Sequence, residues 1–283
     1  MIRISVITVC RDPGERLLAT LASVAHEAER IPGIEHIIID GGSRDGTQER
    51  LAAWQRHSIE WTSEADDGIS HAFNKGLARA RGEIVGILNA DDAYTPGAIQ
   101  RGLDALDAAP QAGFCFGHCL HLEADGRTWL NLADPDYHRH MRWFMPNVNH
   151  PTMLVRRSTY DRVGDYDARY RFAMDYDWLC RAEAAGIRGV MVDSLQTQMA
   201  MGGRSDRFWW RAYAEARNIS IRYGAPASLA YVDHITRLAK GALRRTLARI
   251  GAERTVHAVR LWRQARIISG SKRNHSHDTS SLF

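Results

Sequence analysis

Short β-branched runs alternate with helix-spaced segments through the first hundred residues. This alternation limits the fold most, because it suits a parallel sheet whose strands are joined by helices. The run from Ile4 to Val9 is followed by Leu17, Leu18, Leu21 and Val24 at helical spacing within 15–28. His36 to Ile39 predicts a second strand ending at Asp40, and Asp45 opens an Asp-x-x-Gln capping pattern for a helix to about His57. A third strand is predicted over 59–63, a helix over 69–81 stopped by Gly82, and a fourth strand over 84–88.

Asp40, Glu64 with Asp66, and Asp91 with Asp92 all fall just past the carboxyl ends of these strands. That edge is where open α/β sheets bind ligands. Adjacent carboxylates there repel each other and lose hydration, so Asp91 and Asp92 call for a cation or ligand hydroxyls. An Asp-Asp turn capping a helix opened by Pro96 is the alternative. No Gly-x-x-x-x-Gly-Lys-Ser/Thr loop occurs, and no Gly-x-Gly-x-x-Gly follows the first strand. Phosphates therefore need another device, and a divalent metal (Mn2+ or Mg2+) held by carboxylates supplies one.

Beyond Pro96 a helix is expected to about Ala108, then strands over 114–123 and 127–130 around the hairpin signal Asp125-Gly126. The segment 133–149, rich in His, Arg, Trp and Pro, reads as an active-site loop or short helices. A strand over 152–155, helices over 158–163 and 174–185, and a last strand over 189–192 follow. Gly202-Gly203-Arg204-Ser205 reads as a hinge, dividing a unit at 1–205 from a helical region at 206–283 with a polar tail expected to be disordered.

At 283 residues, 45% hydrophobic and 25% charged, the chain can bury a large core, and no segment reaches the roughly 18 apolar residues of a membrane span. No signal-peptide pattern opens it. Cys10, Cys115, Cys119 and Cys180 form no Cys-x-x-Cys pair, which fits a reducing cytoplasm. Cys115, His118, Cys119 and His121 invite a zinc reading, but alternation over 114–121 describes a strand whose cysteines are small core hydrophobes. The net charge of +4 is uneven, with Lys240, Arg244, Arg245 and Arg249 in a basic end. Leu243, Leu247 and Ile250 recur among these cations, a pattern suited to an anionic membrane surface or to a helix packed with its arginines in water. No nucleic-acid motif accompanies the charge, so nucleic acid is not expected as a partner.

Thr8-Val9-Cys10-Arg11, Asp40-Gly41-Gly42-Ser43-Arg44-Asp45-Gly46-Thr47, Ser63-Glu64-Ala65-Asp66-Asp67-Gly68, Asn74-Lys75-Gly76, Arg81-Gly82-Glu83 and Asn89-Ala90-Asp91-Asp92 occur in one order. That ordered set resembles family 2 glycosyltransferases of the GT-A fold over roughly residues 2–205. The resemblance implies an α/β GT-A sheet with flanking helices carrying a C-terminal basic helical appendage. It implies that Asp40 contacts the nucleotide base, with Thr8 and Arg11 in the same pocket, Asp66 as a further nucleotide contact and Asp91 at the ribose. Asp92 would hold the metal on the diphosphate. Asn89 stands where relatives more often carry Asp, which leaves the number of metal carboxylates open.

Met174-Asp175-Tyr176-Asp177 resembles the family's Glu-Asp-x-Asp segment, in which the carboxylate matching Asp175 is the catalytic base. Attack by a sugar hydroxyl independently requires such a proton acceptor. Asp177 fits a first-turn acid paired with Arg181. His150 is a candidate acceptor or diphosphate contact, with a structural histidine as the alternative, and Arg204 lies in a loop resembling one that closes over the diphosphate.

The reading is a metal-dependent inverting glycosyltransferase, cytoplasmic and at the inner face of a membrane. Its donor would be a UDP-sugar by resemblance, and its acceptor a glycan or lipid-linked glycan. A sugar nucleotidyltransferase is the runner-up, but Cys10-Arg11-Asp12-Pro13-Gly14 stands where its Gly-rich, Arg-containing loop belongs. A non-catalytic carbohydrate-binding scaffold is opposed by the retained Asp92 and Asp175.

Overall fold

The computed structural model describes residues 2–123, 125–203 and 207–249. Strands β1 (Ile4–Cys10), β2 (Ile34–Asp40), β3 (Ile59–Ser63) and β4 (Ile84–Ile87) run parallel in the order β3-β2-β1-β4. Their connections are α1 (Arg16–Ala28), α2 (Thr47–Ala52) and α3 (Ile69–Arg79). Every residue of β1 and β2 is buried. Helices cover both faces: Ile7 and Val9 face one core cluster while Ile4 and Val6 face another, which is why these strands are apolar without alternation.

The second half completes the sheet with mixed pairing. A short β5 (Asp92–Tyr94) and α4 (Ala98–Ala108) lead to β6 (Phe114–Leu122) and β7 (Thr128–Asn131). After α5 (Tyr137–His140) and a 3-10 turn at His150–Thr152, β8 (Leu154–Arg156) lies antiparallel between β4 and β6. Helices α6 (Arg157–Val163) and α7 (Met174–Ala184) precede β9 (Gly189–Ala200), which runs parallel to β6 and antiparallel to β5. Two helices close the described chain, α8 (Trp209–Arg222) and α9 (Ala227–Arg249).

Three elements differ from the sequence reading. Helix α2 stops at Ala52 rather than near His57. Strand β9 continues past Val192 to Ala200, because β6 on one side and β5 on the other satisfy its backbone. Helix α4 begins at Ala98 rather than Pro96, and the buried Glu27 carboxylate of α1 caps it by accepting from the N–H groups of Gly97 (2.7 Å) and Ile99 (3.0 Å). All four cysteines are free and buried, and burial raises the Cys115 and Cys119 thiols to about 12. Cys10, Cys115 and Cys180 sit in the hydrophobic clusters as small packing groups.

Helix α8 is no loose appendage, since Ala216 and Ile219 join the cluster that holds Trp178 and Tyr176 of α7. Its Glu215 carboxylate accepts from the backbone N–H groups of Phe172 (2.8 Å) and Ala173 (3.0 Å), satisfying the turn that leads into α7. No helix of the described residues is long and apolar enough to cross a membrane.

Candidate functional site

The carboxyl ends of β1 and β4, with the end of β9, enclose a cleft of about 600 Å³. Arg11, Asp66, Asp91 and Asp92, four of the residues singled out from sequence, line it, together with Asp12, Arg16 and Asn89. A smaller neighbouring cleft of about 270 Å³ shares Arg11, Asp66 and Ile69 and adds Arg171 and Phe172. The strand ends open there because each parallel strand hands the chain to a loop at that edge.

Loops 10–16 and 40–47 are stitched into one wall. The Asp12 N–H donates to Ser43 Oγ (2.7 Å), Asp12 Oδ1 accepts from the Arg44 N–H (2.7 Å), and the Gly14 N–H donates to Asp45 Oδ2 (2.7 Å). Asp12 sits at a φ of 50°, a left-handed conformation rare outside glycine, and these bonds hold it there. Asp40 lies beneath the wall at 0% exposure. Its oxygens accept from the hydroxyls of Ser43 and Ser63, the latter at 2.6 Å, from the Ser43 N–H (3.1 Å) and from the Cys10 thiol (3.6 Å). The carboxylate is spent inside the protein. Thr8 is equally buried, and its hydroxyl bonds His36 Nε2 at 2.9 Å. Neither Thr8 nor Asp40 lines the cleft; both support the residues that do.

Asp66 reaches the cleft from the loop after β3, where Oδ1 accepts from the Gly68 N–H at 3.0 Å. Its Oδ2 lies so close to Gly41 that a Cβ there would collide with it, so Gly41 is glycine to admit the carboxylate.

The acid pair has a different setting. Strand β4 ends at Ile87 and Asp92 begins β5, pairing with Met199, so Asp91 sits in the turn between the two strands and Asp92 is the first residue of the next one. Asp92 is 1% exposed; Asn89 Nδ2 donates to its Oδ2 at 3.3 Å. Its Oδ1 and Asn89 Oδ1 are buried with no hydrogen-bond partner among the described residues. Burial, then repulsion from Asp91, pushes the Asp92 carboxyl well above the usual carboxylate range. Burial also raises Asp91, opposed by the nearby Arg16 guanidinium.

Asp175 and His150 form a second group, outside the lining of either cleft. Asp175 stands in the first turn of α7. Burial raises its carboxyl, with His150 opposing, while burial lowers the His150 imidazole against the pull of Asp175. His150 Nε2 bonds the Tyr166 hydroxyl (3.0 Å), which bonds the Tyr160 hydroxyl (3.1 Å). Asp177 is 1% exposed and paired with Arg181 at 2.9 Å, the structural role its spacing predicts. Arg204 lies outside the described residues.

Sequence reasoning missed Arg16, Asp12, Arg171 and Phe172. Arg16 opens α1 and had no distinguishing neighbour in the chain; its meaning comes from facing Asp91. The loop Cys10-Arg11-Asp12-Pro13-Gly14 did carry a signal for Asp12, as a polar turn directly after a buried strand.

The model of glycosyl transferase family 2 matches residues 5–167. An uncharacterized glycosyltransferase of Mycobacterium tuberculosis is 29% identical over 199 residues, covering 67% of this chain and 74% of that protein. A PGL/p-HBAD biosynthesis glycosyltransferase of the same organism is 24% identical over 214 residues, covering 74% and 81%. Among solved structures, the mannosyltransferase PcManGT from Pyrobaculum calidifontis, in complex with GDP-Man and Mn2+, superposes with a TM-score of 0.64 at 19% identity, covering 98% of this chain and 88% of that one. S. aureus TarS in complex with UDP-GlcNAc superposes at 0.58 and 14% identity, covering 87% and 73%. The α/β sheet with flanking helices is the GT-A architecture that the resemblance implied.

Proposed function

The chain belongs to glycosyl transferase family 2, and from that premise we propose that it transfers a sugar from a nucleotide-sugar to a hydroxyl acceptor with inversion, aided by a divalent metal. The observation that carries this reading is the strand-edge cleft lined by Asp91 and by the buried Asp92, whose Oδ1, like that of Asn89, has no hydrogen-bond partner among the described residues. Orphaned acceptor oxygens on Asp92 and Asn89 are the chemistry a hard cation takes up, so the residues present fit Mn2+ or Mg2+. Asp92 would hold the ion, with the Asn89 carbonyl beside it. Bound there, the ion supplies charge neutralisation for the departing diphosphate.

Arg11 and Asp66 contact the nucleotide from the two sides of the shared wall, and Asp91 meets the ribose. Asp40 acts on that pocket through Ser43 and the loop bearing Arg11, and Thr8 through His36 below it. Arg16 adds positive potential where the leaving group's charge develops. Asp175 accepts the proton of the attacking hydroxyl as that oxygen bonds the anomeric carbon and the sugar–diphosphate bond breaks on the opposite face. Its raised carboxyl makes it a better base than an exposed aspartate, an upward push by burial that the neighbouring His150 opposes. A UDP-sugar donor and a glycan or lipid-linked glycan acceptor complete the proposal; the solved relatives carry UDP-GlcNAc and GDP-Man in their own sites.

Asp175→Asn tests it, because the amide keeps size while removing basicity. Turnover should fall by about 10² to 10⁴ while nucleoside diphosphate binding in the presence of Mn2+ is retained. Turnover within a few fold of the parent would assign Asp175 a structural role.

A further inference from the structure

Helix α9 carries an apolar face that nothing in the described chain covers. Val232 and Ile235 are 61% exposed and Leu243 is 60% exposed, with Leu229 at 39%. Ala239 and Ala242 are also exposed. At about 100° per residue, these six side chains fall within one stripe less than half the helix circumference wide and about 21 Å long. The opposite side faces the body: Arg237 pairs with Asp233 (2.7 Å) and donates to the Met145 carbonyl, and Gly241 abuts Trp209. The stripe is thus distinct from the buried seam that fixes α9 to the protein. It starts nearly four turns before the Leu243, Leu247 and Ile250 pattern visible in the sequence; Leu247 is partly buried and Ile250 lies outside the described residues.

Charge decides what covers it. Residues 207–249 hold nine Lys and Arg against two Asp and Glu, a net of +7, whereas the whole chain carries +4. A second copy would bring +7 against +7 along the same line, which opposes an isologous helix pair. An anionic surface meets both features at once. Lys240 lies by helical phase at one margin of the stripe. Such a helix lies flat, burying its apolar side chains at the acyl boundary with cations level with the headgroups. The half-exposed Tyr231 and Trp210 are aromatic types enriched at that depth.

We infer that the face Leu229–Val232–Ile235–Leu243 of α9 docks on the anionic headgroups of a lipid bilayer. Because Glu215 of α8 caps the turn into α7, and α8 packs against both α7 and α9, a docked α9 is tied through one rigid helix to the segment carrying Asp175. The inference stands whether or not Asp175 is the base.

The test is co-sedimentation of the full chain with vesicles of phosphatidylcholine, with and without phosphatidylserine. Binding is expected only with phosphatidylserine, and it should weaken as salt rises, since charges are screened beyond about 8 Å at physiological ionic strength. In the combined variant Val232→Gln, Ile235→Gln, Leu243→Gln the partition coefficient should fall roughly a hundredfold, with an unchanged far-UV circular dichroism spectrum and melting temperature. Failure of the parent chain to sediment at low salt overturns the inference, as does equal sedimentation of the variant. A lipid-free dimer in sedimentation velocity that the same variant abolishes also overturns it, assigning the stripe to a second copy.

Discussion

Asp40 and Asp92 are both buried carboxylates at the carboxyl edge of one sheet, 0% and 1% exposed, yet their surroundings treat them in opposite ways. Asp40 receives hydroxyl, thiol and backbone donors from Cys10, Ser43 and Ser63, all groups of the chain itself. Asp92 keeps an oxygen with no partner among the described residues and has Asp91 against it. A buried charge that is fully hydrogen-bonded stabilises the fold, whereas one left short of donors destabilises it and is retained for something that binds. Two acids that look equivalent by position thus divide into one bonded into the cleft wall and one whose Oδ1 has no partner among the described residues, the acid proposed to take a ligand.

The largest expected effect breaks the ligand side of this comparison. Asp92→Asn should lower transfer by on the order of 10² to 10³ and remove the Mn2+-dependent rise in melting temperature produced by UDP or GDP. The ligand-free melting temperature should not fall, since an uncompensated buried charge is lost. A surviving Mn2+-dependent shift would move the metal from Asp92 to Asp91 alone.

Asp40→Asn probes the structural side. It presents an amide NH2 where two hydroxyls and an N–H now donate, so stability should drop by about 2–3 kcal/mol, visible as a lower urea midpoint. Nucleotide affinity should weaken in step, because Ser43 no longer orders the loop of Arg11. If stability were unaffected while nucleotide binding vanished, Asp40 would belong with Asp92 as a ligand contact.

A smaller, pH-dependent effect sharpens the same contrast beneath Thr8. Burial, then repulsion from His57, holds the His36 imidazole down to about 3 from an ordinary 6.5. The folded state therefore refuses a proton that the unfolded state accepts between these values. Its contribution is fully present above pH 6.5 and is lost as pH falls toward 3, at up to about 1.4 kcal/mol per pH unit. Unfolding midpoints measured between pH 7.5 and 5 should slope downward in the parent and less steeply in His36→Leu; equal slopes would show that His36 takes up its proton while folded.

Much of the first half was legible from its residues. Strands over 4–9, 36–39, 59–63 and 84–88 and the helix from Ile69 lie where period and capping put them, since each is decided by neighbours within a few positions. The second half was read less well. Strand β9 looked finished at Val192 because Asp193, Ser194 and Gln196 interrupt its apolar run, and only pairing with β6 and β5 carries it on to Ala200. That same pairing turned Asp92 from the end of β4 into the start of β5. Helix α2 was overextended past Ala52, as nothing in Ala53-Trp54-Gln55 marks a stop.

By itself the sequence determined the alternation of strand and helix, the carriage of acids to the strand ends and the basic character of the last helices, because these are properties of local order along the chain. Tertiary structure alone decided which acid is satisfied. Donors for Asp40 arrive from β1 and β3, tens of residues away, while no described donor arrives for Asp92 Oδ1. Burial and hydrogen-bond supply are sums over neighbours brought close by folding, so residues of identical type and similar position acquire opposite roles.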